Sequence, residues 1–89
     1  FMTINIENLK KKIIYRSTYR GTKEMDKLLS SFTKKYIDTL NSSELIYLCD
    51  LLDLDDENLY KFNQGEETTI KVIDNKVSNL FKKFNYTNE

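Results

Sequence analysis

The side chains best suited to chemistry stand close together in RGTKE, residues 20–24, and in Asp26 two positions further on. Arginine and glutamate form charge-assisted hydrogen bonds, which are roughly twice as strong as neutral ones. A glycine between them lets another backbone approach closely because it has no Cβ. The stretch is therefore either a plain corner between two helices or a corner that carries a binding surface.

The rest of the composition argues against catalysis. The 89 residues include no histidine, one cysteine and two glycines. The lack of histidine removes the usual proton shuttle and the commonest metal ligand, and one cysteine argues against a zinc site. Gly21 and Gly65 lie too far apart to form a phosphate-binding loop. We expect a non-catalytic protein with no metal or cofactor of its own; an enzyme that uses paired carboxylates is an alternative.

The chain has the length of one small domain, which we place at residues 2–89. Phe1 precedes Met2, so we interpret Phe1 as an added residue, and we expect residues 85–89 to form a frayed tail. No stretch approaches the ~20 apolar residues of a membrane span, and nothing resembles a signal sequence. Cys49 lies in an apolar run, which predicts a buried thiol in a reducing compartment. We expect a soluble monomer in the bacterial cytoplasm; a processed mitochondrial matrix protein fits less well, because Met2 lies so near the first helix.

Helical periodicity dominates the chain and predicts a compact all-α bundle of about five short helices. The first segment has apolar residues three and four positions apart and should end at Gly21 in the left-handed conformation. The second segment has the clearest apolar face, and Thr22 is its predicted N-cap. The two apolar stripes contain Ile6, Leu9 and Ile13, with Arg16 or Ile14, and then Met25, Leu28, Leu29, Phe32, Tyr36, Ile37 and Leu40.

Three further helices should follow. The third begins at an Asn41 or Ser42 cap with Glu44 in its first turn, and the fourth follows an aspartate cap and stops at Gly65. The last segment opens with the β-branched run TTIKVI, which could form a strand, but its long apolar periodicity favours a helix. The predicted inward residues are Leu45, Leu48, Leu51 and Leu52 in the third helix, Leu59 and Phe62 in the fourth, and Ile70, Ile73, Val77, Leu80, Phe81 and Phe84 in the fifth.

The charges are unevenly distributed, although 14 basic and 14 acidic residues give a formal net charge of zero. Residues 10–27 are mainly basic, and residues 44–67 are mainly acidic. Such blocks are usually solvated helix faces; the alternative is that the basic end steers the protein toward an acidic partner. Nucleic acid is a competing partner, as for an antitoxin-like helical module, but the domain is not net basic and carries no nucleic-acid motif.

Helix termini alone explain much of RGTKE. Arg20 near the end of one helix and Glu24 in the first turn of the next would each complement a helix dipole, worth about 0.3–1 kcal/mol. The two side chains could also pair across the corner for little net gain. Judged by spacing alone, the stretch is a structural corner more readily than a functional one.

Two longer blocks resemble a known family. YRSTYRGTKEMDKLLSSF resembles the signature of the SdhE flavinylation-factor family, which includes succinate dehydrogenase assembly factor 2 and whose mark is an Arg-Gly-x-x-Glu corner followed by an acidic residue and an apolar helix. LLDLDDENLYKFNQG is similar to the family's second block, in which a Leu-Leu-Asp turn leads into an Asp-x-x-Leu helix that ends at glycine. Phe62 stands where the family often has tryptophan. The matching residues are Arg20, Gly21, Glu24 and Asp26 in the first block, and Leu51, Leu52, Asp53, Asp56, Leu59, Phe62 and Gly65 in the second.

The resemblance implies an assembly factor for the flavoprotein subunit of succinate dehydrogenase or fumarate reductase. Such a factor promotes covalent attachment of FAD to a histidine of that subunit, so the partner carries FAD and performs the chemistry. Tyr15 is then either a further interfacial anchor or a core residue, whereas Asp56, Phe62 and Gly65 are structural. The expected partner-binding residues are Arg16, Tyr19, Arg20, Gly21, Glu24 and Asp26.

Overall fold

The structure of the protein, a computed structural model, describes residues 5–18 and 20–84. The predicted partner contact of Tyr19 and the predicted frayed tail 85–89 lie outside the described residues. Over the described ranges the chain forms five helices and no strand: α1 (Ile6–Ser17), α2 (Lys23–Tyr36), α3 (Ser42–Leu51), α4 (Asp56–Asn63) and α5 (Lys76–Lys83). The radius of gyration is 12.7 Å, close to the roughly 12 Å of a compact domain of this length. The predicted all-α bundle is confirmed.

Side-chain caps start α2 and α3 where the sequence predicted. Thr22 caps α2 by accepting a hydrogen bond from the Met25 backbone N–H at 3.2 Å. Asn41, rather than Ser42, caps α3. Its side chain accepts a bond from the Glu44 N–H at 2.9 Å, and the Glu44 carboxylate accepts one from the Asn41 N–H at 2.9 Å. This reciprocal pair satisfies two N–H groups that a helix start leaves without intrahelical partners.

Helix α4 starts and stops at the predicted signals. It follows Asp55 and ends at Asn63, with Gly65 just beyond it. The φ angle of Gly65 is +77°, in the left-handed region that glycine adopts without a side-chain penalty. The Asp55 carboxylate makes no capping bond but accepts one from the Asn58 amide at 2.7 Å, which holds the pKa of Asp55 below its ordinary value.

Helix α1 ends earlier than predicted, at Ser17 rather than at Gly21. The Thr18 hydroxyl donates to the carbonyls of Ile14 and Tyr15, with separations of 3.2 and 3.0 Å. Side-chain bonds to nearby carbonyls compete with helix continuation, and the extended backbone of Thr18 turns the chain away. Gly21 does not adopt the left-handed conformation, so its predicted role in closing this helix is wrong.

The prediction of a long fifth helix is wrong for its first half. Helix α5 begins at Lys76, and residues 66–75 form neither helix nor strand. Asn75 and Ser78 form a second reciprocal cap, with both backbone N–H groups bonded to the opposite side chain at 2.9 Å. The strong cap fixes the helix start at a point that the apolar periodicity overlooked.

The connection before α5 is anchored in an extended path. The buried side chain of Asn58 accepts hydrogen bonds from the backbone and hydroxyl of Thr69, at 2.8 and 3.1 Å. Ile70 and Ile73 are 45% and 71% exposed, so they do not face the core as predicted. The later members of the same stripe do face it: Val77 and Phe81 are buried, and Leu80 and Phe84 are half-buried.

The apolar core joins all five helices. Helix α1 packs on α2 and α3, and α5 packs on α3 and α4. Phe32 and Phe81 are fully buried, with ring centroids 5.1 Å apart. Tyr15 is 68% exposed, so a core position for it is wrong, and Cys49 is half-buried rather than buried. No helix in the described ranges is long and apolar enough to cross a membrane.

Glu44 should make the stability of the bundle depend on acid pH. The Asn41 N–H and then the Lys76 ammonium, 3.0 Å away on α5, hold the pKa of Glu44 below its ordinary value of 4.5. The resulting stabilisation is present above the ordinary value and is lost as the pH falls through the lower folded value. Glu44→Gln should therefore reduce the loss of stability on acidification, measured by urea unfolding at a series of pH values below 6. If the free energy of unfolding falls equally in Glu44→Gln and in the wild type as the pH is lowered below 6, this role of Glu44 is wrong.

Candidate functional site

Arg20 ties the α1–α2 corner, defined here as residues 18 and 20–22, to the opposite side of the bundle. Its Nε donates to Oδ1 of Asp56 at 2.8 Å. Its Nη1 donates to the carbonyls of Arg16 and Leu52 at 3.0 and 3.2 Å, and its Nη2 donates to the carbonyl of Leu54 at 3.0 Å. The side chain is 14% exposed. Because a guanidinium has five N–H donors, these bonds leave little capacity for a partner.

Two carboxylates hold the backbone of the corner. Oδ2 of Asp56 accepts a hydrogen bond from the Gly21 N–H at 2.9 Å, while its Oδ1 accepts the bond from Arg20. Oδ1 of Asp26 accepts a hydrogen bond from the Arg20 backbone N–H. Asp56 is the first residue of α4 and Asp26 lies in the first turn of α2, where a helix dipole favours negative charge. The corner is thus fixed by side chains in place of helical hydrogen bonds.

Gly21 lies close to Asp56. A Cβ built on Gly21 would lie 3.0 Å from Oδ2 of Asp56, a closer approach than nine in ten Cβ contacts. The carboxylate that binds the Gly21 N–H would have to shift by a few tenths of an ångström to admit a side chain here. Gly21 itself is exposed at the surface, so the bend between the two helices is open to solvent.

Glu24 is an exposed acid two residues beyond the corner. It lies in the first turn of α2 and is exposed. Its side chain makes no hydrogen bond or ion pair with any residue of the described ranges. Asp26 behaves differently, since it is half-buried and bonded to Arg20. Of the acids expected to bind a partner, the structure leaves Glu24 available and uses Asp26 internally.

Arg16 lies on the α3 side of α1. Its Nη1 forms an ion pair with Oδ1 of Asp53 and lies 3.7 Å from Sγ of Cys49. The thiol and the Asp53 carboxylate raise the pKa of Arg16, with desolvation acting in the opposite direction. The side chain of Arg16 remains 35% exposed. Arg16 therefore belongs to the same surface as the corner but is less enclosed than Arg20.

An open cleft of about 490 Å³ adjoins the corner on the side of α3 and α4. Tyr15, Thr18 and Gly21 form one wall, and Leu54 and Asp56 belong to the other. Glu24 lies outside this cleft. No group of three or more histidine, cysteine, aspartate or glutamate side chains within residues 5–18 and 20–84 could hold a metal ion.

The basic and acidic blocks of the sequence meet in the fold. Arg16 and Arg20 come from the basic block, and they pair with Asp53 and Asp56 from the acidic block. Positive and negative charges are therefore less separated in the fold than along the sequence. The basic end keeps four exposed lysines, Lys11, Lys12, Lys23 and Lys27, so the predicted steering toward an acidic partner rests on these and not on the arginines.

Sequence reasoning located the corner but not the groups that hold it. Asp56 was expected to be structural, without an identified partner. Its bonds to Arg20 and Gly21 span 36 and 35 positions of the chain and leave no local spacing signature. The available signal was the presence of all three residues in the two blocks that resemble one family.

Comparisons with known proteins identify the family of the chain. The family described as Sdh5, flavinator of succinate dehydrogenase, matches residues 11–85. Succinate dehydrogenase assembly factor 2, mitochondrial, of Meyerozyma guilliermondii is 43% identical over 54 residues. Succinate dehydrogenase assembly factor 2-B, mitochondrial, of Drosophila mojavensis is 32% identical over 79 residues. FAD assembly factor SdhE of Wigglesworthia glossinidia brevipalpis is 39% identical over 51 residues.

The matched segments cover more of this chain than of two of these relatives. They span 61%, 86% and 57% of this chain, and 40%, 50% and 61% of the respective relatives. No solved structure shows significant similarity to the chain. The family match includes the corner, both carboxylates that hold it and all of α2 to α5. The chain therefore belongs to the family of flavinators of succinate dehydrogenase.

Proposed function

We propose that the protein is an assembly factor that binds the flavoprotein subunit of succinate dehydrogenase and promotes covalent attachment of FAD to a histidine of that subunit. The observation that carries this proposal is the family match over residues 11–85. The names of the relatives, which describe succinate dehydrogenase assembly and FAD assembly, support it. The flavoprotein subunit of fumarate reductase is a second client of the same kind. FAD is bound by the partner, and the factor acts as a non-catalytic monomer.

The corner is the proposed docking surface. Glu24 offers a carboxylate that no described residue uses, and a charge-assisted bond from the partner would fix it at the interface. Gly21 allows close approach of the partner's backbone, and Arg16, which is partly exposed, provides an adjoining contact. Tyr19, the residue before Arg20 in the sequence, is proposed as a further contact. Arg20 and Asp26 contribute mainly by keeping the corner in shape, with the edges of their side chains at the interface.

A rigid surface is sufficient for this function. The factor needs to favour the conformation of the flavoprotein in which FAD and the acceptor histidine are aligned, which is proximity and preorganisation supplied by a partner. A corner held by Arg20, Asp26 and Asp56 loses little conformational freedom on binding, so more of the contact energy is available to shift the partner. The nucleic-acid alternative has no such support, since the formal net charge is zero.

The test is co-expression of the chain with a candidate flavoprotein subunit in cells that lack their own factor. Covalent flavin is measured as fluorescence of the subunit band after denaturing electrophoresis. The chain should raise this signal well above that of the subunit expressed alone. Equal signals with and without the chain, for the subunits of both succinate dehydrogenase and fumarate reductase, would reject the proposal.

Tyr15 should contribute binding energy next to the corner. It is 68% exposed on the wall of the cleft, and tyrosine is enriched at interface hot spots. Tyr15→Ala should weaken the complex with the flavoprotein subunit about tenfold, which corresponds to about 1.4 kcal/mol. The measurement is titration calorimetry. Tyr47→Ala is the matched control, because Tyr47 is also exposed (41%) but does not line the cleft beside the corner. Equal affinities for the two variants would exclude Tyr15 from the interface.

A further inference from the structure

Among residues 5–18 and 20–84, Asp56 is the one side chain that bonds both to the Arg20 side chain and to the Gly21 backbone. Its Oδ1 accepts from Arg20 Nε at 2.8 Å and its Oδ2 accepts from the Gly21 N–H at 2.9 Å. We infer that Asp56 is a positioning residue: it fixes the α1–α2 corner and thereby places Glu24 for contact with the flavoprotein subunit. This inference rests on the proposed function and assigns a role in it to a residue of α4 that does not itself need to touch the partner.

The corner depends on Asp56 because the local backbone offers no alternative. Helix α1 ends at Ser17 and α2 begins at Lys23, so the amides of Arg20 and Gly21 have no helical carbonyl to bind. Asp26 accepts the Arg20 amide, and Asp56 accepts the Gly21 amide. Loss of the Asp56 carboxylate would leave the Gly21 amide to water and remove the anionic partner of Arg20.

The position of the corner is transmitted directly to Glu24. Gly21 is followed by Thr22, whose side chain caps α2 through the Met25 N–H at 3.2 Å. Glu24 lies in that first turn and has no described side-chain partner of its own. Its direction is therefore set by where α2 begins. A looser corner would present Glu24 in many orientations, and ordering them on binding would weaken the complex.

The contact geometry allows two independent perturbations. Asp56→Asn keeps the size of the side chain but removes the charge, and its single amide oxygen cannot replace the two carboxylate oxygens that accept from Arg20 Nε and from the Gly21 N–H. Gly21→Ala keeps the carboxylate but places a Cβ where Oδ2 of Asp56 now lies 3.0 Å away. The first variant removes at least one of the two bonds and the second displaces the carboxylate. Because Gly21 also adjoins the partner, an unchanged half-maximal concentration in Gly21→Ala counts against the inference even if Asp56→Asn fails to fold.

The control is Glu57→Gln. Glu57 also lies in the first turn of α4, and its carboxylate pairs with Lys61 at 3.0 Å on the outside of the helix. The substitution removes one negative charge from the same helix start and makes no change at the corner. An effect shared by Asp56→Asn and Glu57→Gln would come from the charge of α4, whereas an effect of Asp56→Asn alone would come from the corner.

The experiment is a purified reconstitution of the flavoprotein subunit with FAD, in which the chain is titrated and the initial rate of covalent flavin formation is measured. Asp56→Asn should raise the chain concentration needed for half-maximal rate about tenfold and leave the rate at saturation unchanged, because a loosened corner costs binding and not chemistry. Gly21→Ala should also raise the chain concentration needed for half-maximal rate, by a smaller factor. Glu57→Gln should match the wild-type curve.

Hydrogen exchange separates positioning from general destabilisation. In the free Asp56→Asn variant the Gly21 amide should exchange faster, while amides of the core around Leu48 keep their protection at a temperature well below the melting point. If Gly21 exchanges faster but the half-maximal concentration is unchanged for both Asp56→Asn and Gly21→Ala, the inference is wrong. That result would leave the proposed function intact, whereas an inactive wild-type chain would reject the proposed function itself.

Discussion

Arg20→Ala should lower the free energy of unfolding by about 2–3 kcal/mol and the melting temperature by about 10–20 °C, more than any other substitution at the corner. The Arg20 guanidinium is bonded to the Asp56 carboxylate and to three backbone carbonyls, and its side chain is 14% exposed. Removal leaves the half-buried Asp56 carboxylate without its cation and the carbonyls of Leu52 and Leu54, just after α3, without this donor. The measurement is thermal unfolding followed by circular dichroism at 222 nm.

Two further variants show whether the loss of stability in Arg20→Ala comes from the lost geometry of the guanidinium or from its lost charge. Arg20→Lys keeps the charge but cannot reproduce bonds in three directions from one rigid group, so most of the loss should remain. Arg16→Ala is the matched control: Arg16 pairs with Asp53 at the surface, where the two side chains are 35% and 52% exposed, and such a pair contributes at most about 1 kcal/mol. Equal melting temperatures of Arg20→Ala and Arg16→Ala would contradict the bracing role of Arg20.

The bracing role changes how activity data on Arg20 should be interpreted. A loss of flavin attachment in Arg20→Ala would follow from a disordered corner even if the arginine never touched the partner. The sequence analysis places Arg20 among the residues that contact the partner. In the structure, its side chain bonds to Asp56 and to the carbonyls of Leu52 and Leu54, so it also stabilises the fold. Comparison at a temperature where each variant is fully folded is therefore required before a contact is assigned.

The sequence was sufficient for the features that depend on near neighbours. Thr22 and Asn41 cap their helices through residues three positions away, and Gly65 stops α4 through its own backbone angle. The apolar stripe of α2 is read directly from its helical spacing, and Met25, Leu29 and Phe32 are buried as that stripe predicts. Each of these features is decided within about one helical turn, so one sequence carries the information.

The features that were predicted wrongly depend on side-chain hydrogen bonds that apolar spacing and glycine positions do not reveal. The early end of α1 follows from the Thr18 hydroxyl, which bonds to carbonyls three and four positions back. The exposure of Ile73 follows from an extended connection held by Asn58, which apolar spacing alone does not reveal. The sequence shows a basic block and an acidic block that are separate along the chain. In the fold, the ion pair of Arg20 with Asp56 brings the two blocks together. No spacing rule in a single sequence identifies which acid meets which base across 36 positions.

Glu24→Gln should lower the rate of covalent flavin formation in the client subunit at least about tenfold, because the charge of an acid that contacts the partner is lost while its size is kept. Stability should change by less than about 1 kcal/mol, since the side chain is exposed and only its favourable interaction with the α2 dipole is removed. The measurement pairs the flavin fluorescence of the subunit band with the thermal melt of the free variant. Together the two quantities separate a docking residue from a structural one.

Glu7→Gln is the control that makes the Glu24 result specific. Glu7 is also an exposed glutamate in the first turn of a helix, but it lies at the far end of α1 from the corner. Both variants lose one surface charge and one favourable helix-dipole interaction, so their melting temperatures should agree within a few degrees. Only Glu24→Gln should lose flavin attachment. Full attachment with Glu24→Gln would exclude Glu24 from the docking surface, although it is an exposed acid that no described residue binds.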